Sequence, residues 1–157
     1  MSLGIDIDVE GVEQLRRSLD SLEPEARREL DRELRRAARD VAREAGQTVR
    51  ARAVTRSRNP RRTADGYVVR VREGRRGRTG GLRIVGTTVG ASMLEWAGRE
   101  ETRTQRGRTL KATLDARYGT PGRVLWKAWD RRREHTEAAI REAVARAERR
   151  LSAIVGG

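Results

Sequence analysis

The chain contains no cysteine and no phenylalanine, and aromatic residues make up only 3% of its 157 residues. Without cysteine it can form neither a disulfide nor a thiolate metal site. With so few aromatic side chains, its core is expected to be aliphatic, rich in alanine and valine, and thin for this length. A thin core favours a chain that completes its burial by assembling with other subunits.

Long apolar runs are also missing, so the sequence predicts no signal peptide and no membrane span. Histidine occurs once, at His135 in a charged run, which favours a surface position over a metal-binding role. We find no glycine-rich phosphate loop, nucleophile elbow or metal-ligand cluster. We therefore predict no catalytic residue, no cofactor and no metal. An enzyme that uses carboxylates alone, such as a nuclease, is a third-ranked alternative.

Lysine is nearly absent, since 34 of the 36 basic residues are arginine. The net charge of +13 is concentrated, because residues 50–83 hold twelve arginines and two acidic residues, a net +10. A GC-rich genome explains arginine in place of lysine but does not explain this concentration. A local block of positive charge predicts a polyanionic partner, most often nucleic acid. A basic loop that pairs with acidic residues of a neighbouring subunit is an equally good interpretation.

Two stretches have apolar residues at helical spacing, from Pro24 to about Ala53 and from Thr120 to Ile154. Thr120 is the predicted cap of the second helix, with Pro121 at its first position. This helix is roughly 50 Å long, more than the roughly 40 Å diameter of a compact domain of this size. It is therefore expected to bend or to dock on another chain. Its predicted buried stripe is Leu125, Trp129, Thr136, Ile140, Val144, Ala147, Leu151 and Ile154.

The other faces of the 24–53 helix carry both signs of charge, which predicts local ion pairs such as Asp31–Arg35 and Glu33–Arg36. Gly46 is expected to bend this helix.

Alternating apolar residues predict a strand over Gly4–Val9, and Val12–Leu19 follows as a short helix. Tyr67–Arg72 and Leu82–Val89 are predicted as the two strands of a β-hairpin, joined by a glycine- and arginine-rich tip at 74–81. Because aromatic residues are absent from this hairpin except Tyr67, contact with nucleic acid would be non-specific and through phosphates. The candidate contact residues are Arg70, Arg72, Arg75, Arg76, Arg78 and Arg83.

Between the hairpin and the last helix, Ala91–Ala97 predicts a short helix or a tight apolar corner. A charged loop is expected over 98–109, followed by another short helix over Leu110–Tyr118. The whole pattern predicts an α+β fold: a small antiparallel sheet with a basic hairpin, packed by two long amphipathic helices. We expect one domain over 1–157.

Three short motifs occur in order along the chain: Pro60–Thr63 before the sheet, Met93–Gly98 after it, and Pro121–Trp129 at the start of the last helix. In this order they resemble the HK97 gp10-like family of tailed-bacteriophage tail components, which has relatives among tail-completion and neck proteins. The resemblance implies a structural virion protein without catalysis, acting at the head-to-tail junction as a ring around the DNA path. A hexamer is the expected ring, assembled in the host cytoplasm with other head-tail connector and tail proteins, with DNA in its lumen.

The residues themselves suggest where neighbouring subunits would touch. Trp126 lies off the apolar stripe of the last helix, and Trp96 and Glu95 lie in the apolar corner, so all three are candidates for the subunit interface. Glu95 would need a partner there, and an arginine is expected. Trp129 lies on the stripe and is expected in the core. The alternative function is a free, non-specific DNA-binding protein that uses the arginine-rich segment 50–83.

Overall fold

The α+β class is confirmed by a computed structural model, which describes residues 4–52, 60–73, 80–96, 104–120 and 122–156. The side chains of Pro60, Arg62 and Trp96 also lie outside this description. The described part is mostly helical, with one small antiparallel sheet in the strand order β1-β3-β2. The elements are β1 (Gly4–Asp8), α1 (Val12–Leu22), α2 (Pro24–Ala51), α3 (Pro60–Ala64), β2 (Tyr67–Arg72), β3 (Gly81–Gly86), α4 (Val89–Trp96), α5 (Gln105–Tyr118) and α6 (Leu125–Val155).

The sheet follows the alternation seen in the sequence. In β1, Ile5 and Ile7 are buried while Asp6 and Asp8 are exposed. Both predicted strands of the hairpin are present, with β3 as the central and most buried strand. The second strand ends at Gly86 and not at Val89 as predicted, because Val89 is the first residue of α4. The predicted hairpin tip at 74–81 is only partly described, because 74–79 lie outside the described residues. Its last residue, Gly81, already belongs to β3.

Helix α2 buries most of the apolar residues that recur at helical spacing, and Ala37, which shares this spacing, is half-buried. It runs without interruption through Gly46, where a bend was expected. A Cβ atom at Gly46 would lie 2.7 Å from the carbonyl oxygen of Ala64, so the glycine makes room for the close approach of α3. The buried apolar residues of α2 are Ala26, Leu30, Leu34, Ala38, Val41, Ala42, Ala45 and Val49.

The start of α6 differs from the prediction. The helix begins at Leu125 and not near Thr120, because Gly122 has a φ of 81°, which is outside the helical region. Val124 and Arg123 then turn inward and are buried. The predicted stripe is buried at Leu125, Trp129, Thr136, Ile140 and Ala147, and it becomes partly exposed toward the C-terminal end.

The charged loop predicted over 98–109 is wrong for residues 105–109, which form the first turns of α5; residues 98–103 lie outside the described residues. Thr104 caps this helix, since its hydroxyl accepts a hydrogen bond from the amide of Gly107 at 3.1 Å. Only Leu114 and Tyr118 of α5 are buried, so the helix has almost no apolar periodicity. This explains why the pattern over 105–109 resembled a loop.

The contacts divide the chain into two compact units. The first unit comprises Met1–Ile5, Val41–Val68 and Ile84–Arg131, and the second comprises Asp6–Asp40, Val69–Arg83 and Arg132–Gly157. The core of the first unit is formed by the second half of α2, α4 and the start of α6. The core of the second unit is formed by α1, the first half of α2 and the middle of α6. The prediction of one domain over 1–157 stays a prediction.

Candidate functional site

Glu95 lies at the end of α4 in the first unit, and its side chain is fully buried. Its Oε1 atom accepts hydrogen bonds from the Tyr67 hydroxyl at 3.0 Å and from the backbone amide of Leu125 at 2.9 Å. Leu125 is the first residue of α6, and amides in the first turn of a helix have no acceptor within the helix. The Glu95 carboxylate therefore caps α6 and links it to β2 and α4.

Arg123 completes this arrangement from the turn before α6, with 1% of its surface exposed. Its Nη1 atom donates to the carbonyl oxygen of Leu94 at 3.0 Å, and its Nη2 atom pairs with the Asp115 carboxylate. Asp115 belongs to α5 and also binds Lys111. We call Tyr67, Glu95, Arg123 and Asp115 the Glu95 cluster; it joins β2, α4, α5 and the start of α6.

The electrostatics of the Glu95 cluster follow from its burial. Desolvation raises the pKa of Glu95, and hydrogen bonds from the amides of Leu125 and Val124 and from Tyr67 oppose this rise. Desolvation also raises the pKa of Tyr67, which keeps its hydroxyl protonated as the donor to Glu95. Hydrogen bonds from Lys111 and Arg123 lower the pKa of Asp115.

The Glu95 cluster corrects two expectations. Among the described residues, the hydrogen bonds to Glu95 come from a tyrosine hydroxyl and from backbone amides, whereas Arg123 acts on the Glu95 carboxylate through its charge. It is also not exposed to a neighbouring subunit, because its carboxylate is enclosed by its own chain. Glu95 is therefore an internal joint and not an interface residue.

The two tryptophans of α6 differ in burial, as their positions on the helix indicated. Trp129 is buried, which confirms its predicted place in the core. Trp126 is 39% exposed and lies against Gly122, where an added Cβ would come within 2.9 Å of the indole Cδ1. Trp126 thus remains a candidate for a subunit interface. The side chain of the third candidate, Trp96, lies outside the described residues.

The predicted basic hairpin carries less free positive charge than its sequence indicates. Arg72 pairs with Asp8 and, at 3.1 Å, with Asp6, and the Nε atom of Arg83 lies 3.7 Å from the Asp6 carboxylate. The sheet order brings these residues together, because all three strands contribute to one face. Arg70 is exposed. The other three candidates, Arg75, Arg76 and Arg78, lie outside the described residues.

Several structurally important residues were missed by sequence reasoning. Arg16 is buried in α1 and forms a two-pronged pair with Asp31 of α2, with distances of 2.9 and 3.1 Å. Nothing in the local pattern distinguishes Arg16 or Arg123 from the many exposed arginines. The helical spacing of Arg16 is the one available signal, since it is adjacent to Leu15 and Leu19 on the buried side of α1.

Neither a metal site nor a membrane span is seen in the described ranges. No group of three or more histidine, cysteine or acidic side chains is arranged there to hold a metal ion. No described helix combines the length and the apolar character needed to cross a bilayer. Comparisons with protein families, with curated proteins and with solved structures found no match for this chain.

Proposed function

We propose that the protein is a structural component of a tailed-phage virion, acting at the head-to-tail junction as a ring around the DNA path. The observation that carries this proposal is the hydrogen bond of 2.9 Å between Glu95 and Leu125. These residues belong to two of the motifs on which the family resemblance depends, Met93–Gly98 and Pro121–Trp129. If the chain shares the fold of this family, these two motifs should lie in contact although they are about thirty residues apart in the sequence. The hydrogen bond joins them, and it therefore supports the resemblance.

Exposed apolar residues support assembly into a homo-oligomer, for which a hexameric ring is the simplest proposal. Trp126 is partly exposed beside a buried polar cluster, and tryptophan is enriched among residues that dominate interface energies. Val155, at the end of α6, is 71% exposed. Apolar side chains in these positions would be removed from water when a neighbouring subunit, or another head-tail connector or tail protein, covers them.

A groove of about 450 Å³ in the second unit offers a complementary surface for the basic residues of a neighbour. Its floor is apolar, with Ile7, Ile140 and Val144. Its rim carries one arginine and four acidic residues, namely Arg141, Asp8, Glu10, Glu137 and Glu148. A net negative rim on a chain of net charge +13 favours pairing with an arginine-rich segment of another copy.

The assembly proposal is tested by native mass spectrometry of the purified protein, together with proteomics of purified particles. We expect a closed oligomer or a monomer that assembles on a connector partner, and we expect the chain in every tailed particle. Replacing Trp126 by alanine should reduce the assembled fraction, whereas alanine at the exposed polar residue Thr113 should not. Normal tailed particles after deletion of the gene would contradict the proposal.

The alternative function is a free, non-specific DNA-binding protein. It is favoured by the net +10 of residues 50–83. Tight, steeply salt-dependent DNA binding by an isolated monomer that never enters a particle would favour this alternative over the ring.

A further inference from the structure

The C-terminal ends of α2 and α5 meet in the first unit, where side chains of each helix bind backbone carbonyls of the other. The Nε atom of Arg117 donates to the carbonyl oxygen of Arg52 at 2.8 Å, and the Tyr118 hydroxyl donates to the same oxygen at 2.9 Å. In return, the Nη1 atom of Arg52 donates to the carbonyl oxygen of Arg117 at 3.4 Å. Two helix ends are thus joined by two arginines, each capping the other helix.

Lys127, in the first turn of α6, is a third cation at these helix ends. The Nζ atom of Lys127 donates to the carbonyl oxygen of Tyr118 at 2.8 Å. Helix C-terminal ends carry partial negative charge, so cations are favourable there. We call Arg52, Arg117 and Lys127 the helix-end patch. All three residues are exposed.

The hydrogen bonds at these helix ends hold Arg52 and Lys127 in place without offsetting their charge. The acceptors are carbonyl oxygens, which are neutral, so both residues keep their positive charge. A guanidinium has five N–H donors and an ammonium has three. Arg52 and Lys127 each use one donor in these hydrogen bonds, and the rest belong to a side chain whose position is already fixed. A cation held in this way loses less conformational entropy when it binds an anion.

We propose that the helix-end patch is a binding site for the phosphate backbone of double-stranded DNA. The planar fork of arginine matches phosphate oxygens, and three cations on one surface can contact neighbouring phosphates. In the sequence, Arg52 belongs to a basic run, because residues 50–62 contain six arginines and no acidic residue. Asp65 offsets one of these charges through its pair with Arg50.

Duplex backbone contact fits the patch better than base recognition does. Tyr118, whose hydroxyl binds the same carbonyl oxygen as Arg117, is buried, so it does not offer a face for stacking on bases. The expected binding is therefore independent of sequence and strongly dependent on salt. This inference makes the DNA contact of the proposed function more specific, but it does not depend on a ring. Arg117 and Lys127 were not among the residues that the sequence singled out.

The test compares two triple variants with the same net charge. In the patch variant, Arg52, Arg117 and Lys127 are changed to glutamine, which removes the charge but keeps a hydrogen-bond donor for the helix carbonyls. In the control variant, the exposed Arg36, Arg39 and Arg149 are changed to glutamine. Fluorescence anisotropy measures the Kd for a labelled duplex of about 30 base pairs between about 50 and 200 mM salt.

We expect the patch variant to bind at least about tenfold more weakly. The slope of log K against log salt should become shallower by about 2 to 3, because each phosphate that the protein no longer neutralises accounts for about 0.9 of the slope. The control variant should change the Kd by less than about twofold. Equal weakening in both variants would show that only net charge matters and would overturn the proposal. An unchanged Kd in the patch variant would overturn it as well.

Hydrogen exchange of the unmodified protein gives a readout that does not depend on how the variants fold. Duplex DNA should protect the amides at the end of α2 and at the end of α5, around residues 48–52 and 115–119. Protection confined to other parts of the chain would overturn the proposal. These measurements use the protein at concentrations below assembly, so a failure of the ring proposal would leave their outcome unaffected.

Discussion

The turn before α6 and the C-terminal part of α6 use arginine in opposite ways. In the turn, Arg123 has no exposed side-chain surface and is held by a buried carbonyl and by Asp115. Near the end, the Arg150 side chain is 44% exposed and pairs with Glu23 and Glu29 of α2. Arg146 makes a similar exposed pair with Glu33 at 3.2 Å.

This difference shows that the number of ion pairs is a poor guide to what stabilises the chain. A buried polar group without its partner carries the full cost of desolvation, whereas an exposed charge is resolvated by water. We therefore expect the few buried hydrogen bonds at the start of α6 to matter more than the larger number of exposed pairs near its end.

The largest expected effect comes from removing the carboxylate of Glu95. Replacement by alanine leaves the Tyr67 hydroxyl and the Leu125 amide without the acceptor that they share. We expect the free energy of unfolding to fall by about 3 kcal/mol or more, which urea denaturation followed by circular dichroism would measure. A decrease no larger than that caused by changes at the exposed end of α6 would remove the contrast between the two regions.

The pH dependence of the same site gives a sharper test. Because the pKa of Glu95 is raised in the folded protein, the folded state keeps this proton at a pH where the unfolded state has released it. The carboxyl therefore contributes most stability at low pH, and this contribution is lost as pH rises from about 4.5 through the folded pKa. The free energy of unfolding of the wild type minus that of Glu95→Gln should therefore decrease as the pH rises through this range. A difference that is constant or moves the other way would contradict the raised pKa.

An intermediate effect is expected at Gly122, which starts the turn before α6. Alanine there would have to adopt a φ of 81° and would place its Cβ within 2.9 Å of the Trp126 ring. We expect a decrease of about 1–2 kcal/mol in unfolding free energy, with a local change in tryptophan fluorescence. Alanine at Gly156 is the matched control, because that residue lies after the end of α6 and has no positive φ. Equal effects at both glycines would show that the turn geometry is not required.

The smallest effect is expected for Arg150→Gln. Its pairs with Glu23 and Glu29 are exposed and screened by salt. The change in Tm should be smaller than those at Glu95 and Gly122 and should disappear at high salt. A large, salt-independent drop in Tm would mean that the end of α6 is held as firmly as its start.

The regular elements could be predicted from local pattern because each depends on residues a few positions apart. The stripe of α2 and the alternation of β1 follow directly from the sequence, and both are buried as expected. The start of α5 escaped prediction because Thr104 caps a helix that has almost no apolar face. The start of α6 escaped it because Thr120 and Pro121 are also good helix-starting residues.

The partners of the charged residues could not be predicted in the same way. Local pairs such as Asp31–Arg35 and Glu33–Arg36 were expected within α2. In the structure, Asp31 binds Arg16 of α1, and Glu33 binds Arg146 of α6. For Asp31 and Glu33 the fold brings an arginine of another helix within bonding distance, so sequence spacing did not determine their partners.

The sequence by itself determined the α+β class, the two long helices, the hairpin and the concentration of positive charge over residues 50–83. Only the tertiary structure decided that Glu95 caps α6, that Asp6 and Asp8 neutralise part of the hairpin, and that Arg52 meets Arg117 at two helix ends. The physical reason is the sequence separation of the interacting residues. Helices and strands follow from interactions between residues close along the chain. The partner of a charged residue depends on which distant segment the fold brings within about 3 Å of it.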